Sequence, residues 1–117
     1  MTKRAAALLV LLIVSAACKR LSAEDAANAR ARAIWAKHEA VVEQALHGTF
    51  HETEYSEAGR FFRELTGIEL HGNGTPFGWM PVRETAADFE RIRAWYRANG
   101  DRLYADEHDQ VRLRPAR

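Results

Sequence analysis

The clearest amphipathic pattern of the chain lies in the stretch that ends at Gly67. Four apolar residues recur there three or four positions apart, namely Tyr55, Ala58, Phe62 and Leu65. This spacing places them on one face of a helix. The charged residues fall largely elsewhere, and they are Glu54, Glu57, Arg60, Arg63 and Glu64. Gly67 predicts the end of the helix, with Ile68 packed back on its last turn in a Schellman motif.

Two further stretches carry helical patterns. No Gly or Pro interrupts residues 23–46, and the second half of this stretch has an apolar stripe of Ile34, His38, Val41, Val42 and Ala45. The other stripe consists of Phe89, Ile92, Trp95 and Tyr96, and Asn99-Gly100 follows it. A capping box is predicted at the start of each of the three helices. The pairs are Ser22 with Asp25, Thr49 with Glu52, and Thr85 with Asp88.

The remaining segments predict one long loop and one hairpin. Residues 68–84 contain three glycines and two prolines, which indicates an ordered loop without regular structure. Its apolar residues, Phe77 and Trp79 among them, either cover the core or form an exposed patch for a partner. Alternating apolar positions within residues 102–114 predict a β-hairpin. The expected fold is therefore mainly α, with three helices in a single small domain over residues 23–117.

The amino terminus has the layout of a secretory signal peptide over residues 1–17. Lys3 and Arg4 are followed by ten apolar residues, Ala5 to Val14, and then by the small residues Ser15-Ala16-Ala17. The apolar run is shorter than the roughly 20 residues of a membrane-spanning helix. The alternative is a retained amino-terminal membrane anchor.

Ser15-Ala16-Ala17-Cys18 resembles the lipobox of bacterial lipoproteins. The resemblance implies cleavage before Cys18 and attachment of diacylglycerol to its thiol, with residues 18–22 as a lipid-anchored tether. Ser15 departs from the pattern, because an aliphatic residue is usual there. Cys18 is the only cysteine of the chain, and a free thiol in an oxidising compartment would be a liability. The alternative is cleavage by signal peptidase I and release of a soluble periplasmic protein.

Lys19, rather than Asp, follows the cysteine. By the same resemblance this favours the periplasmic face of the outer membrane over the inner membrane. A second likeness concerns Leu65-Thr66-Gly67-Ile68 followed by Trp95-Tyr96, which resembles a pattern of small uncharacterised exported bacterial proteins. It implies helix packing and carries over no catalytic residue.

Charge and motifs argue against several other classes of protein. The formal net charge is +1, so no nucleic-acid partner is expected. His47 and His51 have the spacing of a metal pair, but Gly48 lies between them and breaks the helix. No His-Glu-x-x-His or Gly-x-Ser-x-Gly motif is present. We therefore expect no enzyme activity, no metal and no cofactor.

The sequence favours a membrane-anchored lipoprotein that serves as a non-enzymatic interaction or structural module of the cell envelope. Its expected partners are the membrane, through the lipid on Cys18, and an envelope protein. The alternative is an exported small-ligand binder or enzyme inhibitor that uses residues 69–84. The candidate ligand or partner contacts would be His71, Phe77, Trp79 and Arg83.

Overall fold

Three α-helices and two short hairpins form the chain. The computed structural model describes the backbone of residues 2–75 and 78–116 and the side chains of residues 22–72 and 81–116. The helices are α1 (Thr2–Leu46), α2 (Glu52–Thr66) and α3 (Thr85–Asn99). One antiparallel hairpin, β1 (Gly72–Thr75) with β2 (Gly78–Pro81), lies between α2 and α3. A 3₁₀ helix (Gly100–Arg102) then leads into β3 (Leu103–Ala105) and β4 (Val111–Leu113). The predicted fold class, including the carboxy-terminal hairpin, is confirmed.

Helix α1 is continuous from Thr2 to Leu46, so the predicted helix start at Ser22 is wrong. Residues 2–46 contain no Gly or Pro and are rich in Ala and Leu, which favour the helix. Ser22 therefore lies in the interior of a helix, where the backbone N–H groups have partners and need no cap. None of the helices within the described residues has an apolar stretch long enough to cross a bilayer.

The buried face of α1 is centred on Trp35, which is 2% exposed. Ala31, Val42 and Ala45 are buried on the same face, with His38 half-buried among them. The intervals of four and three residues are those of a packed helix face. The predicted stripe omitted Ala31 and Trp35, so the face that α1 buries begins one turn earlier than predicted.

Helix α2 buries Tyr55, Ala58 and Phe62, as its spacing predicts. Gly67 ends it in the left-handed conformation, with φ 76°, and donates its N–H to the carbonyl of Arg63 at 2.9 Å. The predicted Schellman motif is wrong in detail. The N–H of Ile68, which that motif directs to the Arg63 carbonyl, donates instead to the Thr66 hydroxyl at 3.0 Å. The ending is the simpler αL motif.

The start of α2 differs from the prediction. His51, rather than Thr49, is the N-cap residue, and its side chain makes no capping hydrogen bond. Thr49 donates its backbone N–H to the carbonyl of Gln44 at 2.8 Å and so belongs to the end of α1. The predicted capping box of Thr49 with Glu52 is therefore wrong.

Residues 68–84 are more regular than predicted, because β1 and β2 lie within them. Gly72 is opposite Pro81 and Thr75 is opposite Gly78, and the connecting residues 76 and 77 lie outside the described chain. The glycines and prolines that indicated an irregular loop are tolerated because both strands of a lone hairpin are edge strands.

The second hairpin packs on α1 and is organised around Asp106. Leu103 and Ala105 of β3 are buried, and Arg30 of α1 donates a hydrogen bond to the Ala105 carbonyl at 3.2 Å. One carboxylate oxygen of Asp106 accepts from the N–H groups of His108 and Gln110, at 2.8 and 3.0 Å. The other accepts from Arg112 Nε at 2.8 Å. The hydrogen bond from Arg112 and then that from Gln110 lower the pKa of Asp106 from 3.8 to about 2.

Two glycines of α2 should respond in opposite directions to alanine. Gly67→Ala should lower the free energy of unfolding by about 1–2 kcal/mol, because a Cβ is disfavoured at positive φ. Gly59→Ala should raise it by about 0.5–1 kcal/mol, because Gly59 lies inside the helix and a Cβ there meets no atom of the described residues within 4 Å. Urea titration of the full chain, followed by circular dichroism, measures both. A loss of stability in Gly59→Ala would contradict the placement of Gly59 inside α2 with open space beside it.

Acid should remove the contribution of Asp106 to stability. Its pKa is lowered in the folded chain, so the ionised carboxylate stabilises the fold above its ordinary value of 3.8, and this stability is lost as the pH falls toward about 2. Asp106→Asn should therefore flatten the pH dependence of the unfolding free energy between about pH 5 and about pH 2. Asp101→Asn, at an exposed position of the 3₁₀ helix, is the control. An unchanged acid limb in Asp106→Asn would contradict the hydrogen-bonding account.

Candidate functional site

The structure places only part of the residues singled out in the sequence. The side chains of Cys18 and Trp79, and the whole of Phe77, lie outside the described residues. His71 and Arg83 are both exposed, one just before β1 and the other between β2 and α3. Within the described chain no hydrogen bond or ion pair joins His71 to Arg83. That His71 and Arg83 contact a ligand or partner stays a prediction.

His71 is instead held by a buried carboxylate of α3. Asp88 is 4% exposed, and its Oδ2 accepts the backbone N–H of His71 at 2.7 Å. Nδ1 of the His71 ring lies 2.6 Å from the same oxygen. The side chain of His71 remains 66% exposed. Because an ionised carboxylate can only accept, it orients the ring with the hydrogen on Nδ1.

Thr85 completes the attachment of the first hairpin to α3. Its buried hydroxyl donates to the carbonyl of His71 at 2.5 Å and accepts the N–H of Val82 at 2.8 Å. Thr85 and Asp88 therefore do not form the predicted capping box, and Glu84 is the N-cap residue of α3. Their side chains bind the residues that flank β1 and β2. We call these contacts of Thr85 and Asp88 with His71 and Val82 the hairpin latch.

Tyr55 lies buried beside the latch, at 4% exposure. Its hydroxyl is buried and, within the described part of the chain, has no partner in hydrogen-bonding geometry. Burial is the main cause that raises the pKa of Tyr55 above 10.0. The Thr85 hydroxyl lowers this pKa, and the Asp88 carboxylate raises it further.

A cleft of about 320 Å³ opens beside Tyr55, between α2 and the residues that lead into β1. We call it the α2 cleft. Its described lining is Tyr55, Ser56, Gly59, Arg60, Arg63, Glu69, Leu70 and Gly72. In the sequence, Arg60 and Arg63 belong to the charged side of α2, and their spacing alone predicts no site. The available signal was Gly59, a small residue between the buried face and the two arginines.

A second cavity of about 300 Å³ lies between α1, α2 and the carboxy-terminal hairpin. His38 lines it and stacks on Phe61 with 4.3 Å between the ring centroids. Burial and then the charge of Lys37 lower the pKa of His38, against the opposing effect of Glu57. Among the described residues, no group of three His, Cys, Asp or Glu side chains is placed to bind a metal ion.

No family model, no curated protein and no solved structure matches this chain. The functional assignment therefore depends on the residues themselves.

The hairpin latch should fail when the Thr85 hydroxyl is removed. Thr85→Val keeps the shape of the side chain but leaves the Val82 N–H and the His71 carbonyl without a partner. We expect the free energy of unfolding to fall by about 1–3 kcal/mol. Hydrogen exchange of the Val82 amide should become faster. The fall in its opening free energy should be at least as large as the fall in the free energy of unfolding.

Thr53→Val is the matched control for Thr85→Val, because Thr53 lies exposed on α2. The latch would be refuted if the two variants lost equal stability and the Val82 amide exchanged at the same rate in both.

Proposed function

We propose that the chain is an exported bacterial lipoprotein whose small helical domain is held at the outer membrane by lipid on Cys18. The observation that carries the proposal is the order of features at the amino terminus. A short basic segment, ten apolar residues and three small residues precede the only cysteine. A diacylglycerol on that thiol supplies two acyl chains, which give stable anchoring where one chain does not.

The geometry of α1 supports a rigid connection between the lipid and the domain. The helix runs through Cys18, and the side chains of residues 22–26 are exposed. Ala31 is the first buried residue of α1 within the described side chains. At 1.5 Å per residue, Ala31 lies about 20 Å along the helix from Cys18. The domain would thus stand on a helical stalk, which we define as residues 19–26.

Charge on the stalk suits a position beside the bilayer. Lys19 and Arg20 follow the cysteine directly, where each contributes about 1 kcal/mol of attraction to an anionic lipid surface. Removal of Lys3 and Arg4 with the signal peptide leaves 15 basic and 16 acidic residues, a net charge of −1. The mature domain is thus close to neutral, and its basic residues next to the lipid are well placed for headgroups.

The proposed role of the domain is to bind another envelope protein, without catalysis. The exported ligand binder is the second candidate, and the α2 cleft is the observation that favours it. The two candidates differ in what holds the protein in the envelope, so the lipid on Cys18 is tested first.

The intact mass of the protein from the membrane fraction tests the anchor. We expect a chain that begins at Cys18 and carries two or three acyl chains. Cys18→Ala should abolish the added mass and release the protein from the detergent phase on partition. An unmodified chain in the aqueous phase, with no change on Cys18→Ala, would contradict the proposal.

Ser15→Leu provides a second, opposite test of the same site. Leucine restores the aliphatic residue usual in the lipobox, so the fraction of chains carrying lipid should rise or stay complete. A fall in that fraction, with cleavage moved away from Cys18, would indicate processing by signal peptidase I instead.

A further inference from the structure

The α2 cleft contains charges of both signs that do not neutralise each other. Arg60 and Arg63 lie three residues apart on α2, which places them on neighbouring parts of one helix surface. Glu69 lines the cleft from the other side. No ion pair within 4.0 Å joins Glu69 to either arginine among the described side chains. Among the described side chains, therefore, Glu69 does not occupy the hydrogen-bond donors of either guanidinium group.

Gly59 lies in the described lining of the cleft, on α2. A Cβ built at Gly59 meets no atom of the described residues within 4 Å, so among these residues the space above this turn of α2 is open. Arg60 follows directly in sequence, and Arg63 lies one turn further along. A glycine inside a helix costs about 0.5–1 kcal/mol relative to alanine. Gly59 therefore lowers the stability of α2 at the point where the helix borders the cleft.

Part of the described lining of the cleft is apolar. Leu70 is buried at 9% exposure, and the ring of Tyr55 lies beside it in the lining. Small-molecule sites combine such apolar walls with a few convergent polar groups, and their volumes begin at about 300 Å³.

We propose that the α2 cleft binds a small organic carboxylate. The carboxylate group would lie between Arg60 and Arg63, because the planar guanidinium fork matches the two carboxylate oxygens. The apolar body of the ligand would pack on Leu70 and Tyr55 above Gly59. Glu69 would repel a second negative charge, so the site selects ligands with one carboxylate. This binding activity goes beyond the proposed anchoring, and either one can hold without the other.

Titration with phenylacetate tests the site, with the full chain in detergent micelles and backbone amide shifts as the readout. Saturable shifts are expected in α2 and in residues 69–72. Arg60→Gln with Arg63→Gln should weaken binding by roughly tenfold or more, because charge-assisted hydrogen bonds are lost. Glu69→Gln should strengthen it by roughly two- to fivefold, because a nearby like charge is removed.

Two controls separate the site from general attraction of an anion. Arg91→Gln with Arg97→Gln removes the same charge from exposed positions of α3 and should leave the affinity unchanged. Phenylacetamide has the same shape without the charge, and it also reports any uptake into the micelles. Equal binding of phenylacetate and phenylacetamide would overturn the proposal. So would an equal loss of affinity in both double arginine variants, or no saturable shift at all.

Discussion

The packing of Trp35 between α2 and α3 is the contact on which the rest of the domain depends. Its ring lies 4.8 Å from that of Phe62 on α2 and 4.6 Å from that of Tyr96 on α3, measured between centroids. Its indole N–H donates to the Glu39 carboxylate at 2.9 Å, so burial leaves no polar atom of the ring unsatisfied. One side chain of α1 thereby fixes the positions of both other helices. Burial of these large aromatic side chains contributes strongly to the free energy of unfolding.

The two sites on α2 and α3 follow from that arrangement. Phe62 also contacts Phe89 of α3, with 6.5 Å between the ring centroids, so the two helices lie side by side. Tyr55 is two helical turns before Phe62, and Asp88 directly precedes Phe89. The polar groups of the hairpin latch therefore come together beneath β1 and β2 because apolar rings nearby have already set the distance between the helices. The α2 cleft lies on the side of α2 that carries Gly59, Arg60 and Arg63.

The sequence predicted the features that local pattern determines and missed those that depend on distant partners. The buried face of α2 and its end at Gly67 follow from spacing and from the conformation of one glycine, and the prediction was right. Thr85 and Asp88 match a capping box in sequence, yet Asp88 binds His71, which is 17 residues away. Only the folded chain supplies that partner. Trp35 was missed because Ile34, its apolar neighbour, suggested a stripe displaced by one position. The α2 cleft lies between α2 and residues 69–72, and no local pattern of side chains predicts that these segments lie next to each other.

The continuity of α1 connects the proposed anchor to this core. From Cys18 to Trp35 the chain contains no Gly or Pro, and the structure has it as one helix. A helix without such breaks transmits direction as well as distance, because each residue is rotated by a fixed angle from the one before it. A lipid on Cys18 would therefore determine how far the domain stands from the bilayer and which face it turns outward. A flexible polar tether of equal length would set only the distance. The same helix that buries Trp35 would then present the α2 cleft in a defined orientation to the periplasm.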